Sequence, residues 1–319
     1  MGSGKEYKIP VINFSEENLK PGSDSWILTS KQVRYALEEY GCFEVTYHRF
    51  TLQLHNSIFG ATKDFFDLPK EIKMRKTSDR PGALGYVEAN PTAPFCKSTV
   101  CETIGIDDPT TIEGAGHFTN IMWPQGNDSF RENLHSFSKL VAELYETTVK
   151  MVFESYGVQD QGLLDSFKES TFHLFRFFKY KALQKNEVDV LGAHTDCSFI
   201  SLLHQHQVKG LHIKTKDGQW IDAKPSPSSF LVLAGDLLMA WSNDRVHACE
   251  HDVIIEENKD RYSIVLFTFI KGVIHVPKEL VDDEHPLRYK PIDCFGYEVF
   301  CSSKGSRKFA CRVKDFCGI

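Results

Sequence analysis

Residues 191–203 read LGAHTDCSFISLL, an apolar run broken by His194 and Asp196 two positions apart. Its composition suits a β-strand. In an extended chain successive side chains alternate between faces, so both residues would project to one side, continued by Ser198, with Cys197 and Phe199 opposite. An imidazole and a carboxylate held side by side are two ready ligands for a divalent transition metal. The H-x-D triplet alone is a weak signal, and its meaning depends on what neighbouring segments add.

From residue 171 the chain runs through FHLFRFFKY, AHTDCSFISLLH, GLHIKTK, QWIDAK, SFLVLAGD, LLMAWSN, HDVIIE and RYSIVLFTFI. These short apolar or alternating stretches predict a succession of strands, with Asp217-Gly218 as a tight hairpin turn between two of them. Helix signals come earlier. Thr29-Ser30-Lys31-Gln32 reads as a capping box ahead of Val33, Ala36, Leu37 and Tyr40, with Gly41 as the stop. Residues 52–66 place Ile58, Phe59, Thr62, Phe65 and Phe66 on one side, and Pro69 follows. Ser129-Phe130-Arg131-Glu132 opens a second capping box before the stripe Leu134, Phe137, Val141, Leu144 and Met151, which ends near Gly157. Residues 77–127, dense in proline and glycine, read as irregular loop with some short strand. The expected fold class is mainly β with flanking helices: a jelly-roll core over 166–319, including a C-terminal segment, behind a helical or mixed N-terminal region over 1–165.

Composition narrows the function classes. A net charge of -6 argues against nucleic acid or an anionic membrane as the main partner, and no run of about 20 apolar residues offers a transmembrane helix. MGSGKEYK lacks the apolar region of a secretory signal, and Glu6 occupies the position where a myristoylation motif needs Ser or Thr. The nine cysteines are odd in number and form no C-x-x-C pair, which favours reduced thiols. The expectation is a cytoplasmic protein acting on a small molecule.

A metal site needs a third ligand, and NDRVHACEHDVII supplies His247 and His251. His251 is preferred because it opens an alternating apolar strand, whereas His247 sits in the turn-like run before it. His204, His206 and His212, among polar neighbours, read as solvated hairpin residues. Two histidines and one carboxylate form the facial set that suits non-haem Fe(II) and leaves coordination positions open. No H-E-x-x-H motif points to zinc instead. Ten residues beyond His251, alternation places Arg261, Ser263, Val265, Phe267 and Phe269 on one strand face. An arginine and a hydroxyl at the start of an apolar strand can hold a carboxylate through a bidentate charge-assisted pair and one further hydrogen bond. Phe267 and Phe269 then become candidates for touching substrate.

These motifs together resemble the plant Fe(II)- and 2-oxoglutarate-dependent dioxygenases, over nearly the whole chain. IPVINF, YGCFEV, FFDLPKEIK and WPQGN are similar to that family's N-terminal landmarks. HTD, WSNDRVHACEHDV and RYS resemble its metal and cosubstrate motifs, and DDEHPLRYKP its C-terminal segment. The wording of LKPGS, LHQHQVKGLHIKTKDGQW and the final CGI is similar to one branch. That branch includes glucosinolate side-chain dioxygenases, a steroidal glycoalkaloid hydroxylase and a ring-closing lignan (deoxypodophyllotoxin) synthase.

The resemblance implies a double-stranded β-helix holding Fe(II) through His194, Asp196 and His251. It also implies 2-oxoglutarate as cosubstrate, its distal carboxylate at Arg261 and Ser263 with Tyr180 in contact, dioxygen as oxidant and ascorbate as reductant. Oxidation of a small plant specialised metabolite would be coupled to decarboxylation to succinate and carbon dioxide. The outcome would be hydroxylation, demethylation, desaturation or ring closure. Retention of Asp196 argues against halogenation. Three positions depart from the family pattern: Asn13 stands where an aspartate is more usual, Phe178 stands where an asparagine is usual, facing the expected substrate side, and Asp252 replaces an arginine; the last two bear on the site. They keep open a jelly-roll binding protein that has lost catalysis. A zinc hydrolase on a cupin-like barrel is the other alternative. Phe295 to Phe300 are expected to close over the site as a lid.

Overall fold

The computed structural model describes residues 8–78, 85–89, 98–184, 187–302 and 311–319. The chain begins with strand β1 (Val11–Phe14), helix α1 (Asp24–Tyr40), strand β2 (Cys42–Tyr47), helix α2 (Leu52–Phe66) and a single turn α3 (Lys70–Lys73). After β3 (Val87–Glu88) and β4 (Cys101–Asp107) come α4 (Ile112–Met122), the long α5 (Asp128–Ser155) and α6 (Gln161–Ser170). The strand-rich part contains β5 (Thr171–Tyr180), β6 (Asp189–Val190), β7 (Ile200–Gln205), β8 (Leu211–Lys214), β9 (Trp220–Asp222) and β10 (Ser229–Ala234). A short helix α7 (Asp236–Trp241) precedes β11 (His251–Ile255) and β12 (Arg261–Ile270). The chain closes with β13 (Val273–Ile274), β14 (Ile292–Asp293), α8 (Cys294–Ser302) and α9 (Arg312–Cys317).

Among the described residues, eight strands form one sheet in the order β1-β2-β10-β7-β12-β5-β4-β3, and four form a second in the order β6-β11-β8-β9. Alternation along each strand of the large sheet feeds two cores. Phe43, Val45, Phe175, Phe177, Ile200, Leu202, Phe230, Val232, Ile264 and Leu266 join the apolar stripes of α1, α2, α4 and α5. Leu203, Leu231, Leu233 and Val265 instead meet Leu211 and Ile213 of β8 and Val253 and Ile255 of β11 between the two sheets. Each fully buried Leu, Val or Phe contributes on the order of 1.5–3 kcal/mol. This double-layered jelly roll with flanking helices is the fold class expected from the sequence. No described helix is long and apolar enough to cross a membrane.

Several local expectations are corrected. Helix α1 starts at the Ser23 cap, whose hydroxyl accepts from the Trp26 amide, so Thr29 lies inside the helix and hydrogen-bonds back to the Ser25 carbonyl. Helix α5 is capped by Asn127, just ahead of Ser129. The proline- and glycine-rich stretch, read as loop with some short strand, contains the strands β3 and β4 but also the unexpected helix α4; residues 79–84 and 90–97 of that stretch lie outside the described residues. LLMAWSN, read as a strand, is mostly helix α7, because an uninterrupted apolar run carries no period that separates strand from buried helix. Gly235 at its start is required for close approach: a Cβ there would come within 2.0 Å of the Ser198 carbonyl oxygen. His204, expected in solvent, is 1% exposed. Its neighbour His206 and the β8 residue His212 are half-buried. Gly41 does end α1 in the left-handed conformation, and Gly218 turns the β8–β9 hairpin at φ +85.

Candidate metal and cosubstrate site

His251 begins β11, but His194 and Asp196 lie in the irregular segment before β7 rather than on one strand. His194 makes an isolated antiparallel bridge to His251: its amide donates to the His251 carbonyl at 3.0 Å, and its carbonyl accepts from the His251 amide at 2.9 Å. The chain then leaves the sheet, because α7 takes over its backbone acceptors. The Asp236 amide donates to the Asp196 carbonyl at 2.8 Å, and the Leu237 amide donates to the Ser198 carbonyl at 3.2 Å. The two residues still converge, with the two histidines related by the bridge rather than by strand alternation. The imidazole centroids of His194 and His251 are 4.4 Å apart.

One ligand atom from each of His194, Asp196 and His251 lies within 4.8 Å of the others. Both histidine Nε2 atoms sit 3.9 Å from Asp196 Oδ1. Their Nδ1 atoms face backbone carbonyls, His194 to Gly192 at 2.9 Å and His251 to Cys249 at 3.0 Å. A carbonyl only accepts, so each Nδ1 carries a proton, which leaves each Nε2 as the nitrogen that would present a lone pair inward to a metal. Desolvation in the cavity wall and the adjacent His251 lower the His194 pKa, which favours the neutral, ligating form. Asp196 Oδ2 accepts from Ser201 Oγ at 2.6 Å, and Ser198 Oγ lies 2.8 Å from that hydroxyl. This leaves Oδ1 aimed at the histidines. Two neutral imidazoles and one carboxylate fit a divalent iron with coordination positions to spare.

Across the cavity, Arg261 opens β12 and is wholly buried, at 0% exposure. The antiparallel register sets Arg261 opposite Tyr180 and Ser263 opposite both Phe178 of β5 and Gln205 of β7. One guanidinium nitrogen donates to Gln205 Oε1 at 2.8 Å, another reaches Ser263 Oγ at 3.4 Å, and Nε has no hydrogen-bond partner among the described residues. The Tyr180 ring lies 5.2 Å from the guanidinium carbon. Burial lowers the Arg261 pKa, yet a guanidinium stays charged in proteins. Among the described residues no carboxylate lies within ion-pair distance of it. A buried cation with spare donors fits an incoming carboxylate, because leaving it unpaired costs several kcal/mol.

His194, Asp196, His251, Tyr180, Arg261 and Ser263 line one narrow cavity, and Phe178 and Phe267 form part of its apolar wall. The Phe178 ring lies nearly parallel to that of Tyr180, 6.2 Å away. Phe269, expected on the same face, is two residues farther along β12, half-buried, and outside the cavity lining. Asp252 faces away from the ligands and caps the Gly192 amide at 2.8 Å, so it steadies the segment leading to His194. Phe295 to Phe300 fall in α8, whose Tyr297 ring packs on Phe316 of α9, and no described residue of α8 lines the cavity. Ser201 and Gln205 were missed in the sequence, although alternation puts both on the cavity face of β7 and marks them as polar residues in an apolar run.

Comparison with known proteins agrees with this geometry. Residues 171–270 match the profile of the 2OG-Fe(II) oxygenase superfamily, and residues 9–124 match that of the non-haem dioxygenase in morphine synthesis N-terminal region. A probable 2-oxoglutarate-dependent dioxygenase of Arabidopsis thaliana, AOP1.2, is 39% identical over 310 residues, covering 94% of this chain and 93% of its own. The rice dioxygenase for auxin oxidation superposes with a TM-score of 0.77 at 27% identity, over 92% of this chain and 94% of that one. The Arabidopsis auxin-oxidising dioxygenase, solved as a 2-oxoglutarate complex, gives a TM-score of 0.75 at 27% identity, over 88% and 100%. A triad shaped for Fe(II), a buried arginine facing it across one cavity, and this breadth of likeness have one explanation: the chain belongs to the plant Fe(II)- and 2-oxoglutarate-dependent dioxygenases.

Proposed function

We propose that this dioxygenase holds Fe(II) through Nε2 of His194, Nε2 of His251 and Asp196 Oδ1, and oxidises a small, largely apolar plant specialised metabolite. The observation that carries the reading is the fully buried Arg261, whose unpartnered donor shares a cavity with the triad. Arg261 and Ser263 would take the distal carboxylate of 2-oxoglutarate, with Gln205 holding the guanidinium in plane and Tyr180 covering its face. Ser201 would keep Asp196 from rotating, and the two backbone carbonyls would keep both imidazoles in the ligating tautomer. The chemistry supplied at such a centre is oxidation of a C–H bond by dioxygen, coupled to decarboxylation of 2-oxoglutarate to succinate and carbon dioxide. Phe178, Phe267, Leu203 and Val265 would exclude water and orient an apolar substrate.

Residues 1–165 serve in this reading as a scaffold and residues 166–319 as the catalytic core. The protein works in the cytoplasm on a small-molecule partner, with ascorbate keeping iron reduced. A zinc hydrolase would use the same triad but leaves Arg261 and Ser263 without a task.

Incubation of the protein with Fe(II), ascorbate, carboxyl-labelled 2-oxoglutarate and a plant metabolite extract tests the reading. The expected result is release of labelled carbon dioxide together with a metabolite that gains one oxygen, loses a methylene or loses two hydrogens. Absence of labelled carbon dioxide and of an Fe(II)–2-oxoglutarate absorption band under all conditions would overturn it.

A further inference from the structure

The C-terminal helix α9 reaches back to the segment that carries two of the three triad residues. Arg312 Nη2 donates to the Thr195 carbonyl and lies 3.3 Å from Thr195 Oγ1, between His194 and Asp196. The same guanidinium pairs with Asp236 Oδ2 at 3.0 Å. Asp236, 2% exposed, also accepts from the Tyr297 hydroxyl of α8 at 2.5 Å, while its own amide holds the Asp196 carbonyl at 2.8 Å. Consecutive backbone carbonyls, Thr195 and Asp196, are thus gripped by one arginine–aspartate pair. The grip is needed because the segment leaves the sheet after His194: the His251 amide of β11 holds the His194 carbonyl, but among the described residues no strand amide holds those of Thr195 and Asp196. Val313 and Cys317 anchor α9 in the helix-side core, and Lys314 ties it independently to Asp244 at 2.8 Å.

We propose that Arg312 is a positioning residue for the triad: from α9 it fixes the backbone that sets the relative placement of His194 and Asp196. The inference rests on the metal reading above. The forked guanidinium serves a carbonyl and a carboxylate at once, which a lysine ammonium on its flexible stem does not reproduce. Residues that orient metal ligands typically change metal affinity by 10–100-fold when removed.

The test is calorimetric binding of Mn(II), a redox-inert stand-in for Fe(II), to the full chain and its variants, with thermal unfolding read on each. Arg312→Ala is expected to weaken Mn(II) binding by about 10–100-fold and to speed amide exchange at His194 and His251 in the metal-free protein. Lys314→Ala, which loosens the same helix without touching residues 194–196, is expected to bind as the parent protein does. Arg312→Lys is expected to fall between the two, and it carries the comparison if Arg312→Ala fails to fold. Parent-like Mn(II) binding in both Arg312 variants, or an equal loss in Lys314→Ala, overturns the proposal. A His251→Ala variant separates the two readings: if it binds Mn(II) like the parent, the metal site itself is wrong and the positioning role falls with it.

Discussion

The two faces of the eight-stranded sheet bury polar groups to opposite ends. On β7, Ile200, Leu202 and His204 face the helices, while Ser201, Leu203 and Gln205 face the smaller sheet. His204 is enclosed by Phe50, Phe59, Phe137 and Phe230. Both of its ring nitrogens are satisfied, Nε2 by His55 Nδ1 at 2.9 Å and Nδ1 by the Ser229 carbonyl at 2.9 Å. Arg261, equally buried on the opposite face, keeps a donor with no partner beside an open cavity. Burial of a polar residue therefore says little about function by itself. What separates a core histidine from a ligand-binding arginine is whether its hydrogen-bonding capacity is already used.

That contrast can be broken first at the triad. His251→Ala is expected to lower 2-oxoglutarate turnover by a factor on the order of 10³ or more, since loss of one metal ligand removes the chemistry rather than a contact. Next in size, Arg261→Ala should raise the KM for 2-oxoglutarate by about 30- to 1000-fold, the effect of deleting one partner of a buried charge pair. Steady-state kinetics measures both; an unchanged KM in Arg261→Ala would place the cosubstrate elsewhere.

The helix-covered face carries histidines of its own whose burial shapes the pH response of stability. Burial lowers His204 to about 3 and His206 to about 4, and it also lowers His55. Unfolded histidines take a proton near pH 6.5, so the unfolded state binds more protons below that value. The stability contributed by these neutral histidines is present above about pH 6.5, falls as pH drops, and stops falling below the folded values. Urea midpoints between pH 7 and pH 4 measure this loss, and His204→Phe should flatten the profile without altering the KM for 2-oxoglutarate. The smallest effect is assigned to Phe178→Asn, which replaces the ring lying against Tyr180 with an amide. Coupling between succinate release and substrate oxidation should change by less than about 10-fold, because only an orienting wall contact is lost.

Much of the fold was legible because local periodicity carries it. The alternation of RYSIVLFTFI predicted both faces of β12, and residues 52–66 formed the expected helix with those bounds. Legibility failed where local pattern is silent. LLMAWSN has no polar interruption, and the helix it forms begins at Gly235, where the backbone packs tightly on Ser198. His204 looked solvated beside Gln205 and His206, since nothing within β7 announces the aromatic helices that cover it. The strand read through His194 and Asp196 was wrong in geometry although the convergence of the two residues was right, and its cause lies in the α7 amides that claim the segment's carbonyls.

By itself, the sequence determined which residues have the chemistry for a metal and a carboxylate, and that they belong to a chain of alternating strands. Ligand type and side-chain period are properties of a few consecutive residues. Only the tertiary structure decided how they meet: His194 bridging His251, Gln205 and Ser263 set side by side by strand register, and Arg312 reaching Thr195 across 117 positions. Those relations depend on which distant segments pack together, and no local pattern contains them.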